Sequence, residues 1–270
     1  MQKNNFFDKN KNFFYNARKF FKDKTMKKIL LFTLLAAICF AAQLKVAAAA
    51  NLSFVLNEIK DEFIKTHPND EISITFGSSG KLVSQIKNGA LYDVFLSADM
   101  SFSDALIKDN FSADETSAVY AKGKVAMFSA RGFETCSDLK CLKNPKIKSI
   151  IIANPKLAPY GKASEQAFKN AGVYEDIKDK IIKTGSIGEA LSQSLSAGDV
   201  GFVALSALKS HKLKKWQNAY KAIDSSLYEP ISQGMIKLKN SPNPELAKKF
   251  YDFILSDKAK EIFKKYGYEI

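Results

Sequence analysis

"EISITFGSSGKL", residues 71–82, passes from an alternating apolar stretch through Gly77-Ser78-Ser79-Gly80 into Lys81 and Leu82. The alternation over Glu71–Phe76 fits a strand, and the period turns helical across "GKLVSQIKNG", with only small residues between them. A strand feeding a helix through one tight turn is the building unit of an α/β protein. Such a turn can hold a nucleophile, cradle a phosphate, bind another anion or simply start a helix.

The same grammar recurs outward from this stretch. "QLKVAAAAN" reads as a strand before the helix "LSFVLNEIKDEFIKTH", whose Leu52, Val55, Leu56, Ile59 and Phe63 fall at helical spacing. "YDVFLSAD" precedes the helical "MSFSDALIKDN", and "KVAMFSA" is a further strand. "IKSIIIAN" leads to "GKASEQAFKNAG", "IIKTG" to "SIGEALSQSLSAG", and "VGFVALSAL" is a strand with a turn or helix after it. "ISQGMIKL" is a late strand, and the C-terminal segment is helical with a break near Ser256. The pattern predicts α/β architecture with mostly parallel sheets and excludes a solenoid, since no period of 20 to 50 residues repeats.

Residues 1–42 stand apart. Met26, Lys27 and Lys28 followed by "ILLFTLLAAICFAA" form a signal peptide over 26–42, with cleavage expected after Ala41 or Ala42. The apolar run is shorter than the ~20 residues that span a bilayer, which disfavours an uncleaved anchor. Residues 1–25 are a mis-assigned start or an extended basic n-region. Residues 1–42 hold nine of the 41 basic and two of the 28 acidic residues, leaving 32 against 26, a formal charge of +6 rather than +13. With no basic aromatic stripe, nucleic-acid binding loses its support. Export favours a disulfide between Cys136 and Cys141 in "CSDLKC" over two free thiols, and this spacing is not that of a CxxC redox or zinc pair.

Four helices begin at small or polar junctions: Ala49-Ala50-Asn51, Gly77-Ser78-Ser79-Gly80, Ala158-Pro159-Tyr160-Gly161 and Gly185-Ser186-Ile187-Gly188. Each helix start leaves backbone N–H groups without intrahelical partners and presents the positive end of a dipole. Two such ends facing two others across a cleft make an anion trap that needs no basic side chain. A serine hydrolase built on Ser79 is the rival from another class. It lacks the G-x-S-x-G spacing, and neither His67 nor His211 has the context of a catalytic base. Leu82 after Lys81 rules out a P-loop, and no cluster of His, Cys or acids has metal-ligand spacing. Taken singly, Ser79 or Ser78 is best explained as an N-cap, Asn51 as another cap and Tyr160 as a partly buried aromatic.

The ordered segments "KVAAAANLSFVLNEIKDEF", "ITFGSSGKLVSQIKNGALYDVFLSAD", "NPKLAPYGKASEQAF", "DVGFVALSAL" and "AKEIFKKYGYEI" resemble the molybdate-binding proteins of ABC importers, the ModA-like family. The resemblance runs from about Lys45 to Ile270. It implies a type II periplasmic-binding-protein fold, two α/β lobes with a ligand cleft between them. Lobe one would comprise 44–121 and 227–270, and lobe two 122–226. It further implies a periplasmic, monomeric binding protein that performs no chemistry, takes molybdate or tungstate and delivers it to a membrane ABC permease. No cofactor and no free metal cation are implied, since molybdenum or tungsten is held as the oxyanion. By position the oxyanion ligands fall on Asn51, Ser79, Tyr160 and Ile187, with Ala50, Ser78 and Ser186 as further candidates. Many relatives have Ser at the position of Asn51. Some carry a ligand Tyr where this chain has Ala204 and an Ala where it has Tyr160, so the two changes look compensatory. Lys81 is expected to be solvated. A sulfate- or phosphate-type binder is the nearest alternative.

Overall fold

The structure is a computed structural model and describes residues 43–132 and 138–270. The expected signal peptide, the segment before it and Cys136 lie outside the described residues, while Cys141 is disulfide-bonded. Among the described residues no helix is long and apolar enough to cross a membrane.

In chain order the first half contains β1 (Gln43–Ala49), a 3-10 turn (Ala50–Leu52), α1 (Val55–Thr66), β2 (Glu71–Gly77), α2 (Ser79–Lys87), β3 (Val94–Leu96), α3 (Met100–Lys108) and β4 (Ala118–Gly123). There follow β5 (Val125–Phe128), β6 (Ile150–Ala153), α4 (Pro159–Asn170), α5 (Tyr174–Ile177), β7 (Ile181–Thr184), α6 (Ile187–Ser196), β8 (Val200–Ala204), α7 (Leu205–Leu208) and β9 (Tyr220–Ala222). The chain closes with β10 (Ile231–Lys237), α8 (Pro244–Ile254) and α9 (Asp257–Lys265), the break falling at Ser256, whose hydroxyl caps α9.

These strands form two five-stranded sheets, ordered β2-β1-β3-β10-β4 and β7-β6-β8-β5-β9. The chain passes from one to the other between Gly123 and Val125 and returns between Ala222 and Ile231. Each sheet has a parallel half, β2-β1-β3 or β7-β6-β8, as the strand–helix alternation predicts. The other half is antiparallel, which corrects the expectation of mostly parallel sheets. The physical reason lies in the crossings. A strand that enters its sheet directly from the other lobe has no packed helix to reverse the chain beforehand, so it is not bound to the parallel sense.

The all-apolar end of β1 is buried on both faces. Val46 and Ala48 pack with Leu56, Ile59 and Phe63 of α1 and Phe250 of α8, whereas Ala47 meets Leu82 and Ile86 of α2. Alanines there let helices approach both sides of a central strand. In the second sheet Ile150 and Ile152 join Phe168 of α4 and Phe202 of β8, the two rings meeting edge to face with centroids 4.6 Å apart. The expected strand over "YDVFLSAD" shortens to β3. Asp93 at its edge is fully buried and accepts from the Lys45 N–H at 2.6 Å and the Asn243 N–H at 3.0 Å, acting as a brace between segments.

Candidate functional site

The four junctions all lie beyond the carboxyl ends of strands, two from each sheet: β1 and β2, then β6 and β7. Four contacts tie them together. The Gly80 N–H donates to the Leu157 carbonyl at 3.1 Å, joining the second junction to the turn before the third. Lys81 Nζ stands 3.8 Å from Glu189, joining the second to the fourth. A Cβ on Gly188 would sit 3.4 Å from the Ala50 Cβ, so the fourth and first are in van der Waals range. Gln233 bridges the first to the third, since its Oε1 accepts from Asn51 Nδ2 at 2.9 Å and its Nε2 donates to the Tyr160 hydroxyl at 3.1 Å. The cleft between the lobes is therefore closed around these turns.

The expected side chains converge here, though not always as caps. Asn51 is 2% exposed and lies within the 3-10 turn, whose N-cap is Ala49, so it is not a cap. Its Nδ2 also donates to the Tyr268 hydroxyl at 3.0 Å, while its Oδ1 is buried without a partner. Ser78 occupies the N-cap position of α2 in extended backbone, yet its side chain makes no capping bond and its buried Oγ has no partner. Ser79 is no cap either. Its Oγ accepts from the Ala98 N–H at 3.0 Å, which leaves its own proton to donate. Corrected in this way, Asn51, Ser78 and Ser79 are buried polar groups whose hydrogen-bonding capacity is not spent on their helices.

Tyr160 is fully buried rather than partly, with α4 starting at Pro159 just before it. Ser186 does cap, its Oγ accepting from the Glu189 N–H at 3.2 Å while the Glu189 carboxylate accepts from the Gly185 N–H at 2.8 Å. This reciprocal arrangement resembles a capping box and fixes where α6 begins. Ile187 follows as its first residue, buried, with a backbone N–H at the helix start.

No charged side chain is buried at the four turns, because among the described residues the buried acids are Asp93 and Asp199, each engaged elsewhere. Lys81 is half exposed at the rim beside Glu189, as expected for a solvated residue. Ser79 has no base beside it. His67 is stacked on Phe63 with centroids 4.1 Å apart, and His211 begins the 3-10 helix His211–Trp216. Among the described residues no three His, Cys, Asp or Glu side chains form a metal cluster.

Sequence reasoning missed Gln233, Tyr268, Tyr120 and Ser206. Tyr120 donates from its hydroxyl to the Ser97 carbonyl at 2.8 Å or to Gln233 Oε1 at 2.8 Å, and Tyr268 lies 3.0 Å from the Ser206 hydroxyl. The visible signal was a glutamine on the inward face of β10, between buried Ile231 and Met235.

Burial holds the phenols of Tyr120 and Tyr160 well above their ordinary value and pushes Tyr268 up to about 12, partly offset by its hydrogen bonds with Ser206 and Asn51. The site therefore stays neutral through physiological pH. A phenol whose folded value is raised contributes stability that is complete below its unfolded value near 10 and lost as pH rises towards about 12. Urea denaturation should show a falling midpoint across that window. Tyr268→Phe should have a smaller fall than the wild type, and an equal fall would remove Tyr268 as a source.

Residues 44–269 match the family described as bacterial extracellular solute-binding protein. The chain is 35% identical over 241 residues to the molybdate-binding protein ModA of Azotobacter vinelandii, covering 87% of this chain and 93% of that one. It is 32% identical over 229 residues to ModA of Rhodobacter capsulatus, covering 84% and 88%. The solved periplasmic molybdate-binding protein of Azotobacter vinelandii superposes with a TM-score of 0.79 at 32% identity, over 84% of this chain and 99% of that chain. With two α/β lobes closing on a neutral ring of helix starts, the chain belongs to the bacterial extracellular solute-binding proteins and, within them, to the ModA-like group.

Proposed function

We propose that the protein captures molybdate or tungstate between its lobes in the periplasm and delivers it to a membrane ABC permease. The observation that carries this reading is the meeting of four helix-starting turns around buried polar side chains with unfilled hydrogen-bonding capacity, above all the Ser78 hydroxyl, a donor without a partner. Asn51, Ser79, Tyr160 and Ile187 are the proposed ligands, the last two through backbone N–H, with Ala50, Ser78 and Ser186 lining the same ring. The two chain crossings, at Lys124 and over 223–230, are the proposed pivots.

A neutral cage suits a fully deprotonated dianion. Backbone N–H groups and hydroxyls satisfy its oxygens, helix dipoles offset its charge, and no counter-charge has to be desolvated. Discrimination from sulfate then rests on size, since both are tetrahedral dianions and a rigid ring of donors fits one radius best. Closure strengthens every contact by excluding water, so the anion favours the closed form through differential binding. The permease would read that closed surface.

Calorimetric titration of the purified protein with molybdate, tungstate, sulfate and phosphate tests the reading. Tight 1:1 binding of the first two alone supports it, preference for sulfate or phosphate keeps the trap but changes its ligand, and no binding at all overturns it. Ser79→Ala removes one hydroxyl donor to a charged oxygen, worth ~1.5–3 kcal/mol. It should weaken molybdate binding by roughly 10- to 100-fold. Unchanged affinity would remove Ser79 from the ligand set.

A further inference from the structure

We infer that Gln233 is a positioning residue that turns the Asn51 side-chain N–H2 towards the bound anion; this rests on the oxyanion reading above. The problem it resolves is the polarity of Asn51. With Nδ2 donating to Gln233 and to Tyr268, both of its protons are spent on the protein and Oδ1 is the atom left over, buried and unpartnered. An amide oxygen facing a fully deprotonated dianion is repulsive, because neither partner has a proton to offer.

Amide oxygen and nitrogen are nearly equal in size, so the same atoms support a second hydrogen-bond sense. Rotate both amides, and the Gln233 nitrogen donates to the Asn51 oxygen across the 2.9 Å contact and to the Tyr120 oxygen across the 2.8 Å contact. Tyr120 then donates to the Ser97 carbonyl, 2.8 Å away. The Gln233 oxygen accepts from the Tyr160 hydroxyl across 3.1 Å, and the Tyr268 hydroxyl donates to the Asn51 oxygen across 3.0 Å. Ser206 still donates to the Asn51 carbonyl at 3.2 Å. Every member is satisfied, and the Asn51 N–H2 now occupies the direction of the former orphan atom, free to donate to the anion.

The two senses are coupled, because Asn51 can turn only if Gln233 turns with it; otherwise two oxygens or two N–H groups face each other. Gln233 belongs to β10 of the first lobe and Tyr160 to α4 of the second, so the turned state is also held by a hydrogen bond between lobes. Ligand polarity and lobe closure thus share one element. A ligand bearing an O–H, such as hydrogen phosphate, would instead suit the sense that presents Oδ1.

A double-mutant cycle tests this, using molybdate calorimetry on the wild type, Gln233→Met, Asn51→Ala and the double variant. Gln233→Met should weaken binding ~30-fold beside Asn51 but under ~3-fold in the Asn51→Ala background, where only the lost interlobe hydrogen bond to Tyr160 remains to be felt. Asn51 side-chain N–H2 resonances should shift on molybdate addition in the wild type and not in Gln233→Met. Tyr160→Phe, run in parallel as the variant that preserves β10, should show a smaller loss with the same dependence on Asn51. Equal losses in both backgrounds, or no loss at all, would overturn the positioning role while wild-type binding leaves the oxyanion reading standing. A wild type that binds no oxyanion overturns both.

Discussion

Substituting Gly161 by alanine is expected to destabilise the fold by about 3 kcal/mol and lower the melting temperature by roughly 6–12 °C. A Cβ there would sit 2.1 Å from the Ala153 carbonyl oxygen and 2.7 Å from its carbon, both backbone atoms at the end of β6. Backbone cannot swing aside as a side-chain tip can, so α4 must lift away from the sheet. The displacement would carry the Ala158-Pro159-Tyr160 turn with it, pulling the Tyr160 hydroxyl from Gln233 and opening one side of the cage. Molybdate affinity should fall together with stability. Gly188→Ala is the control: its Cβ would meet Ala50 at 3.4 Å, ordinary contact, and an alanine inside α6 favours the helix. Differential scanning calorimetry on both variants decides the matter. Equal melting temperatures for Gly161→Ala and the wild type would show that the third turn adapts, and the rigid cage would lose its basis.

The contrast between these glycines shows which features can be read along the chain. The turn at residues 77–80 announced itself because strand period, small residues and helix period follow each other without a gap, and β2 and α2 occupy that order. All four junctions were local signals of this kind, so they were found. What closes the site is not local. Asn51 meets Gln233 across 182 positions and Tyr268 across 217, separations at which spacing carries no information. The same limit hid β4 and β9. β9 is a three-residue edge strand defined by its partner β5, and β4 is an edge strand whose pairing with β10 shifts register between Gln233 and Gly234. The bonding of the two serine hydroxyls was hidden for a related reason. Sequence places Ser78 and Ser79 at a helix start, where capping is the usual role, but only tertiary contact shows that the Ser79 hydroxyl meets the Ala98 N–H and that the Ser78 hydroxyl has no hydrogen-bond partner. A polar residue that leaves its local role unfilled, inside a closed cleft, is the more informative observation about function.

Asn51→Asp is expected to produce the largest loss of binding, on the order of 1,000-fold for molybdate. The change keeps the shape of the side chain and replaces a donor with an acceptor that carries charge. Two unit charges about 4 Å apart repel by ~4 kcal/mol at the effective dielectric of a partly screened protein site. The surroundings would keep that carboxylate ionised, because the Tyr268 hydroxyl and a turned Gln233 amide both donate to the same position. Folding should suffer far less than binding, since those donors compensate the buried charge. Asn51→Ser separates charge from donor loss: a hydroxyl is neutral and can still donate, so roughly a 10-fold weakening is expected. Lowering the pH should recover affinity in Asn51→Asp alone, as protonation removes the repulsion and restores a donor, provided that molybdate itself stays deprotonated. Calorimetry across pH for the three proteins would show this ordering if Asn51 faces the anion. Were Asn51→Asp to bind as tightly as the wild type, the first turn would not belong to the cage, and the anion would be held by the other three.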